Sequence, residues 1–189
     1  MNAHVRLIPL SEVPAEALWQ IAQDRRIWSI SPAPFGRSRK DLETYVAEAL
    51  SEEKAGRALP FAVRDIRDGR LLGCTRLADI ERPHRKAQLG YTWYVPEVWG
   101  TAVNPSCKLL LLTHAFENMG LGRVYFRINR INERSLAAVE RLGAVREGIL
   151  RRDLLLPDGT WRDTVVLSIL EEEWPDVKAR LFARLDNFG

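Results

Sequence analysis

The stretch AQLGYTWYVPEVWGTAVNPSCKLLLLTHAFENMG, residues 87–120, decides how the rest of the chain is read. Residues 87–95 are rich in aromatics and end at Pro96, which cannot donate to a ladder, so they read as a strand. A loop over residues 99–104 leads into an amphipathic pattern around Leu109, Leu110, Leu111 and Leu112 that Gly120 stops. Asn104 is a preferred N-cap and Pro105 suits the first helical position, so the sequence predicts a helix that starts at Pro105. A strand, a short loop and a helix start in succession offer free backbone N–H groups at the positive end of a helix dipole, which suits an anion. The competing reading is a helix start that binds nothing, with Asn104 satisfying one of its own donors.

Outward from this unit, residues 5–10 (VRLIPL) read as a short first strand, with Ser11 capping a helix over residues 15–22. A second helical pattern covers residues 40–53. The loop between them, IWSISPAPFGRS, carries Trp28, Ile30 and Phe35, apolar surface that needs something to cover. Residues 59–65 and 71–77 form a hairpin around Asp68-Gly69. Downstream, residues 123–128 are a strand, Asn132 caps a helix that stops at Gly143, and residues 144–156 and 164–170 pair antiparallel around Pro157-Asp158-Gly159. Trp174, Val177, Leu181 and Leu185 then recur at helical spacing. A meander followed by alternating strand and helix predicts an α+β fold with a mixed sheet.

The chain has 189 residues, a length that suits one domain, and 46% of them are apolar, which excludes intrinsic disorder. The formal net charge is only +3 and no apolar run approaches a membrane span, so neither nucleic acid nor a bilayer is the expected partner. The start MNAHVRLIPLSEVPAE does not resemble a secretory leader, so a cytoplasmic location is expected. Cys74 and Cys107 read as buried small residues, and three scattered histidines support no metal site.

Three segments resemble one family when taken in order: LGYTWYVPEVWGTAVNPSCKLLLLTHAFE, RVYFRINRINERSLAAVERLGAVREGILRR and LPDGTWRDTVVLSIL. The chain is similar to the GNAT superfamily of acetyl-CoA-dependent N-acetyltransferases, in the branch of the RimJ and RimL ribosomal-protein acetyltransferases. The resemblance implies one domain over residues 1–189, with a mainly antiparallel central sheet flanked by helices. It implies acetyl-CoA as cosubstrate, no metal, a protein N-terminus or small amine as acceptor, and a homodimer as a possible assembly.

In that family the loop after the fourth strand follows Arg/Gln-x-x-Gly-x-Gly/Ala, and its amides hold the CoA pyrophosphate. Here it runs Trp99, Gly100, Thr101, Ala102, Val103, Asn104, so Ala102 stands where Gly is usual and Asn104 where Gly or Ala is usual, while the loop keeps a glycine at Gly100. The resemblance implies that Lys108 adds charge near the diphosphate and that Tyr94 and Val95 complete the cofactor wall. The N–H of Val95 or a neighbour would face the thioester carbonyl. Asn132 would bond the pantetheine arm and Ser135 would stabilise the departing thiolate; alternatively they are a helix cap and an ordinary first-turn serine.

Many relatives carry Glu two residues before the Gly-Tyr of the fourth strand, and here that position is Gln88. Asp79, Glu81 and His84 are candidate replacement bases, or else solvated loop residues. Trp28, Phe35, Gln88, Tyr91 and Trp93 are candidates for the acceptor pocket, with Tyr91 and Trp93 equally readable as core. Deprotonating an α-amine at pH 7 costs about 1.4 kcal/mol and a lysine side chain about 4.6 kcal/mol. A site short of a carboxylate therefore favours the α-amine. Two other classes compete: a CoA-binding module without turnover, favoured by Ala102, Asn104 and Gln88, and a nucleic-acid binder using Arg146, Arg151 and Arg152. Glu147 and Asp153 argue against the latter.

Overall fold

The computed structural model of the chain describes residues 4–29, 38–156 and 158–188. Strands β1 (Val5–Pro9), β2 (Leu59–Asp65), β3 (Leu71–Glu81), β4 (Lys86–Tyr94), β5 (Arg123–Asn129), β6 (Val145–Leu155) and β7 (Trp161–Leu170) form one sheet in the order β1-β2-β3-β4-β5-β7-β6. Every neighbouring pair is antiparallel except β4 and β5, which run parallel because a helix connects them. The expected α+β class and mixed, mainly antiparallel sheet are what the molecule has.

Helices α1 (Ala15–Ala22), α2 (Arg25–Trp28) and α3 (Arg39–Lys54) bury Leu18, Ala22, Leu42, Tyr45 and Ala49 against Ala62, Cys74 and Trp93 on one face of the sheet. Helices α4 (Val103–Thr113), α5 (Glu133–Glu140) and α6 (Trp174–Asp186) bury Leu111, Leu112, Leu136, Val139, Val177 and Leu181 against Leu89, Val124, Phe126 and Leu167 on the other. The helical spacing read at the C-terminus is thus a packed stripe: Trp174, Val177, Leu181 and Leu185 are all buried.

Two helix starts differ from the sequence reading. Ser11 lies in a single 3₁₀ turn and α1 begins after Pro14 without a side-chain cap, whereas Ser38 caps α3 by accepting from the Asp41 amide. Asn104 does not cap α4 either. The helix begins at Val103, and the Thr101 hydroxyl accepts from the Val103 amide at 3.4 Å. Pro105 is tolerated at the third helical position because first-turn N–H groups have no intrahelical acceptor.

The sheet opens between β4 and β5 for a reason visible in the register. Cys74 faces Trp93 and Arg76 faces Gly90, so β4 spends three steps against two on β3. The extra residue is a bulge containing Tyr91, held at φ +52, and a bulge bends and twists its strand. Pairing of β4 with β5 covers Lys86–Arg123, Ala87–Val124 and Gln88–Tyr125, and the register stops there. Gly73 is required opposite this distortion: its φ is +150, and a Cβ would lie 2.0 Å from the Trp93 carbonyl oxygen.

Candidate active site

The divergence of β4 from β5 creates a cleft of about 730 Å³, walled by the starts of α4 and α5. Of the residues singled out from sequence, it gathers Trp28, Gln88, Tyr91, Tyr94, Trp99, Gly100, Thr101, Asn104, Lys108, Asn132 and Ser135 along its lining. Ala102 and Val103 are buried in the same turn. Phe35 lies outside the described residues.

The loop before α4 turns at Gly100, whose φ of +77 an L side chain adopts only under strain, and nothing lies within 4 Å of where its Cβ would be. That leaves the backbone open to close approach. Thr101 takes the Val103 amide, the Thr101 amide itself reaches Val98, and Pro105 has no N–H. Among the described residues, Gly100, Ala102 and Asn104 therefore carry the amides of this turn that have no backbone acceptor. The one position of this turn with positive φ is a glycine, Gly100, while Ala102 and Asn104 keep ordinary backbone conformations. The Asn104 side chain instead accepts from the Tyr94 hydroxyl at 3.4 Å. Burial drives the Tyr94 phenol well above its ordinary range.

The expected charge on this loop comes from elsewhere. Lys108 is only 5% exposed and turns inward, its Nζ 3.4 Å from the Thr92 hydroxyl and 5.7 Å from the Phe126 ring centre. The second turn of α4 faces the sheet, so a side chain there has no route to the loop. The cation on the loop is Arg134, from the first turn of α5, whose guanidinium lies 3.9 Å from the centre of the Trp99 ring and clamps the two walls of the cleft together. Sequence reading passed over Arg134, although a cation in the first turn of a helix opposes the dipole and so points to a negative partner.

Asn132 caps α5 by accepting from the Ser135 amide at 3.1 Å, which occupies its Oδ1 and leaves Nδ2 as its donor toward the cleft. Val95 does not offer its N–H to the cleft. That amide is spent on the Leu72 carbonyl at 2.9 Å, because the antiparallel ladder with β3 continues past the end of β4. The edge of β4 that turns from β3 toward β5 is the one left without a strand partner beyond Gln88.

On the opposite face of the sheet, Trp28 and Trp93 lie with ring centres 5.3 Å apart, and the Trp28 indole donates to the Ala22 carbonyl. Tyr91 is 38% exposed, so it is not plain core, whereas Trp93 is buried. The Arg76 guanidinium lies 4.2 Å from the centre of the Tyr91 ring and 5.0 Å from that of Tyr45, whose hydroxyl donates to the Tyr91 carbonyl. These contacts hold the bulge in its left-handed conformation. Arg162, almost fully buried, donates to the Arg127 carbonyl at 3.2 Å from the far side of the cleft.

The structure separates the three candidate carboxylate or imidazole bases. Glu81 is paired with Lys86 at 3.0 Å, and His84 lies in a 3₁₀ turn away from the cleft. Asp79 lines the cleft: it sits at φ +48 in a bulge of β3, and its Oδ2 accepts from the Tyr125 hydroxyl at 3.4 Å. Burial, with the Asp79 charge beside it, pushes the Tyr125 phenol up to about 12. Among the described lining residues Asp79 is the sole carboxylate, against Lys108, Arg127, Arg134, Arg141, Arg162 and Arg184.

Comparison with known proteins agrees with this architecture. A family profile described as an acetyltransferase (GNAT) domain matches residues 4–145. Bacillus subtilis YdaF, named as a ribosomal N-acetyltransferase, is 37% identical over 111 residues, a stretch that spans 59% of this chain and 60% of that relative's length. A crystal structure from T. thermophilus, titled as an acetyltransferase, superposes with a TM-score of 0.84 at 38% identity, covering 98% of this chain and 95% of the other. Mycobacterium smegmatis RimJ, at 23% identity, shares the fold with a TM-score of 0.77 over 95% of this chain and 88% of its own.

Proposed function

The chain belongs to the GNAT acetyltransferase domain family, and from that premise we propose that it transfers acetyl from acetyl-CoA to a primary amine, an α-amine in preference to a lysine side chain. The observation that supports this is the opening of β4 from β5 between two helix starts, with Gly100, Asn132, Ser135, Gln88 and Tyr91 lining one cleft. The Gly100, Ala102 and Asn104 amides with Arg134 hold the diphosphate. Asn132 donates to the pantetheine arm and Ser135 stands at the sulfur. The acceptor enters past Trp28, Gln88 and Tyr91, and the chemistry needs it neutral and aligned with the acyl carbon.

Charge supports the choice of acceptor. A polyamine or a lysine-rich segment would meet a lining in which Asp153 neutralises Arg127 from outside the cleft, while Arg134, Arg141, Arg162 and Arg184 outnumber the single lining carboxylate, Asp79. An α-amine needs about 3 kcal/mol less help to lose its proton than a lysine does, a rate factor above about 100. Gln88 supplies no base, so Asp79 is the group that takes the proton, directly or through water. The test is release of free CoA thiol from acetyl-CoA with matched α-amino peptides, ε-amino peptides and spermidine. We expect turnover in that order. Binding of CoA without turnover on any amine would replace this reading with that of a CoA-binding module, and faster turnover of lysine side chains would overturn the acceptor class.

Self-association belongs to the same proposal. The edge strand β6 exposes Val145, Ile149, Leu150, Leu154 and Leu155, with Trp161 beside them on β7, and an open apolar edge of this kind is otherwise an aggregation liability. Light scattering that gives the mass of a monomer at micromolar concentration would remove a homodimer from the reading.

A further inference from the structure

An amine attacking a thioester builds negative charge on the acyl oxygen, and such charge needs a donor already in place. Sequence reading assigned this role to the strand amide of Val95 or a neighbour; Val95 is committed to Leu72, which leaves only its neighbours on the edge of β4 that faces β5. The cleft also contains a buried donor with unspent capacity. Lys108 carries three protons, its one hydrogen bond is a 3.4 Å contact to Thr92, and no carboxylate among the described residues pairs with it. The Thr92 hydroxyl is itself shared with Thr75 at 2.9 Å and the Gly90 carbonyl at 3.2 Å, which anchors the ammonium beside the bulge of β4.

A buried cation without a counter-ion destabilises a fold. Methionine would fill the same space among Phe126, Thr92 and the α4 wall without that penalty. Lys108 is therefore a poor choice for packing and a good one for meeting negative charge inside the slot.

We propose that the Lys108 ammonium is the donor to the acyl oxygen of the bound acetyl thioester and stabilises the tetrahedral intermediate. This rests on the acetyl-transfer reading above. In the step, the amine nitrogen bonds the acyl carbon while the carbonyl pair moves onto oxygen, which faces Lys108. On collapse that pair re-forms the carbonyl, the carbon–sulfur bond breaks with its electrons leaving on sulfur, and the proton shed by nitrogen passes through Asp79 or water to solvent, from which the thiolate is protonated. Lys108 keeps its protons throughout.

The experiment compares wild type, Lys108→Met and Lys108→Gln by steady-state kinetics, CoA-binding calorimetry and thermal melting. Loss of a donor to the oxyanion lowers kcat by about 100-fold or more in Lys108→Met, with partial recovery in Lys108→Gln, which retains an N–H. Affinity for CoA, which has no acyl oxygen, stays within about twofold. The melting temperature of Lys108→Met rises, as removal of an unpaired buried charge requires. A kcat within about threefold of wild type overturns the proposal. So does a kcat loss accompanied by a lower melting temperature and a matching loss of CoA binding, which marks a structural lysine. A wild type that turns over no amine defeats the acetyl-transfer reading and this inference with it, whereas an active wild type with an equally active Lys108→Met defeats this inference alone.

Discussion

Burial of Lys108 makes the stability of the protein depend on pH in a way that one variant isolates. Desolvation lowers the folded-state pKa of this ammonium from 10.5 to about 8, with only the neighbouring Cys107 opposing the shift. Below about pH 8 the folded and unfolded chains both hold the proton, and the fold carries the full penalty. Between about pH 8 and 10.5 the unfolded chain binds a proton that the folded chain lacks, so stability rises with pH. Above that window the penalty is gone. At 1.36 kcal/mol per pH unit the penalty at neutral pH is about 3 kcal/mol, which for a chain of this size is about 6 to 12 °C in melting temperature.

Urea unfolding of wild type and Lys108→Met, in steps from about pH 7 to 10.5, measures it. Other titrating groups cancel in the difference between the two proteins. The groups around Lys108 do not disturb this window: burial holds the Cys107 thiol up to about 11 and the Tyr94 phenol well above its usual range, while Thr92 and Phe126 do not titrate there. The stability advantage of the variant is expected to shrink by about 3 kcal/mol across the range. Parallel curves would show that the ammonium is solvated in the folded state, and the account of a costly buried charge would fall.

Gly73→Ala places a Cβ 2.0 Å from the Trp93 carbonyl oxygen at a φ of +150, and should cost about 3 kcal/mol or more; a melting temperature near that of wild type would show that the β3–β4 bulge adapts. Asn132→Ala removes the α5 cap, about 1 kcal/mol of stability, and should raise KM for acetyl-CoA. Ser135→Ala should lower kcat with KM little changed, so identical kinetic profiles for these two variants would collapse their separate roles. Asp79→Asn should reduce kcat/KM for the amine about 100-fold at neutral pH, with the deficit closing at alkaline pH as the acceptor loses its proton unaided. A deficit that does not change with pH would mean that Asp79 orients the acceptor without taking its proton.

What residues 87–120 and their flanks settled alone is local: where strands give way to turns, where helices lie, and that a loop and two helix starts follow strands that can form a cleft. Proline, glycine and apolar spacing act over a few residues, so they are legible in order along the chain. Asn132 is such a case, because its capping bond reaches only to Ser135.

The remaining decisions were made between segments distant in sequence. Thr101 rather than Asn104 serves the start of α4, because the Tyr94 hydroxyl, from the end of β4, donates to the Asn104 side chain. The Val95 amide was lost to Leu72 because β3 extends alongside it, and β4 parts from β5 because the bulge at Tyr91 is held by Arg76 and Tyr45 from another strand and another helix. Lys108 reads on paper as a solvated cation one turn into a helix. Only the packing of α4 on the sheet turns it inward, where desolvation makes it both costly and reactive toward negative charge. Asp79 emerged from three equivalent-looking candidates because the bulge in β3 aims it into the cleft beside Tyr125, while Glu81 pairs with Lys86. Hydrogen-bond partners and burial are set by whichever distant residue arrives at the site, and that is the information a linear reading lacks.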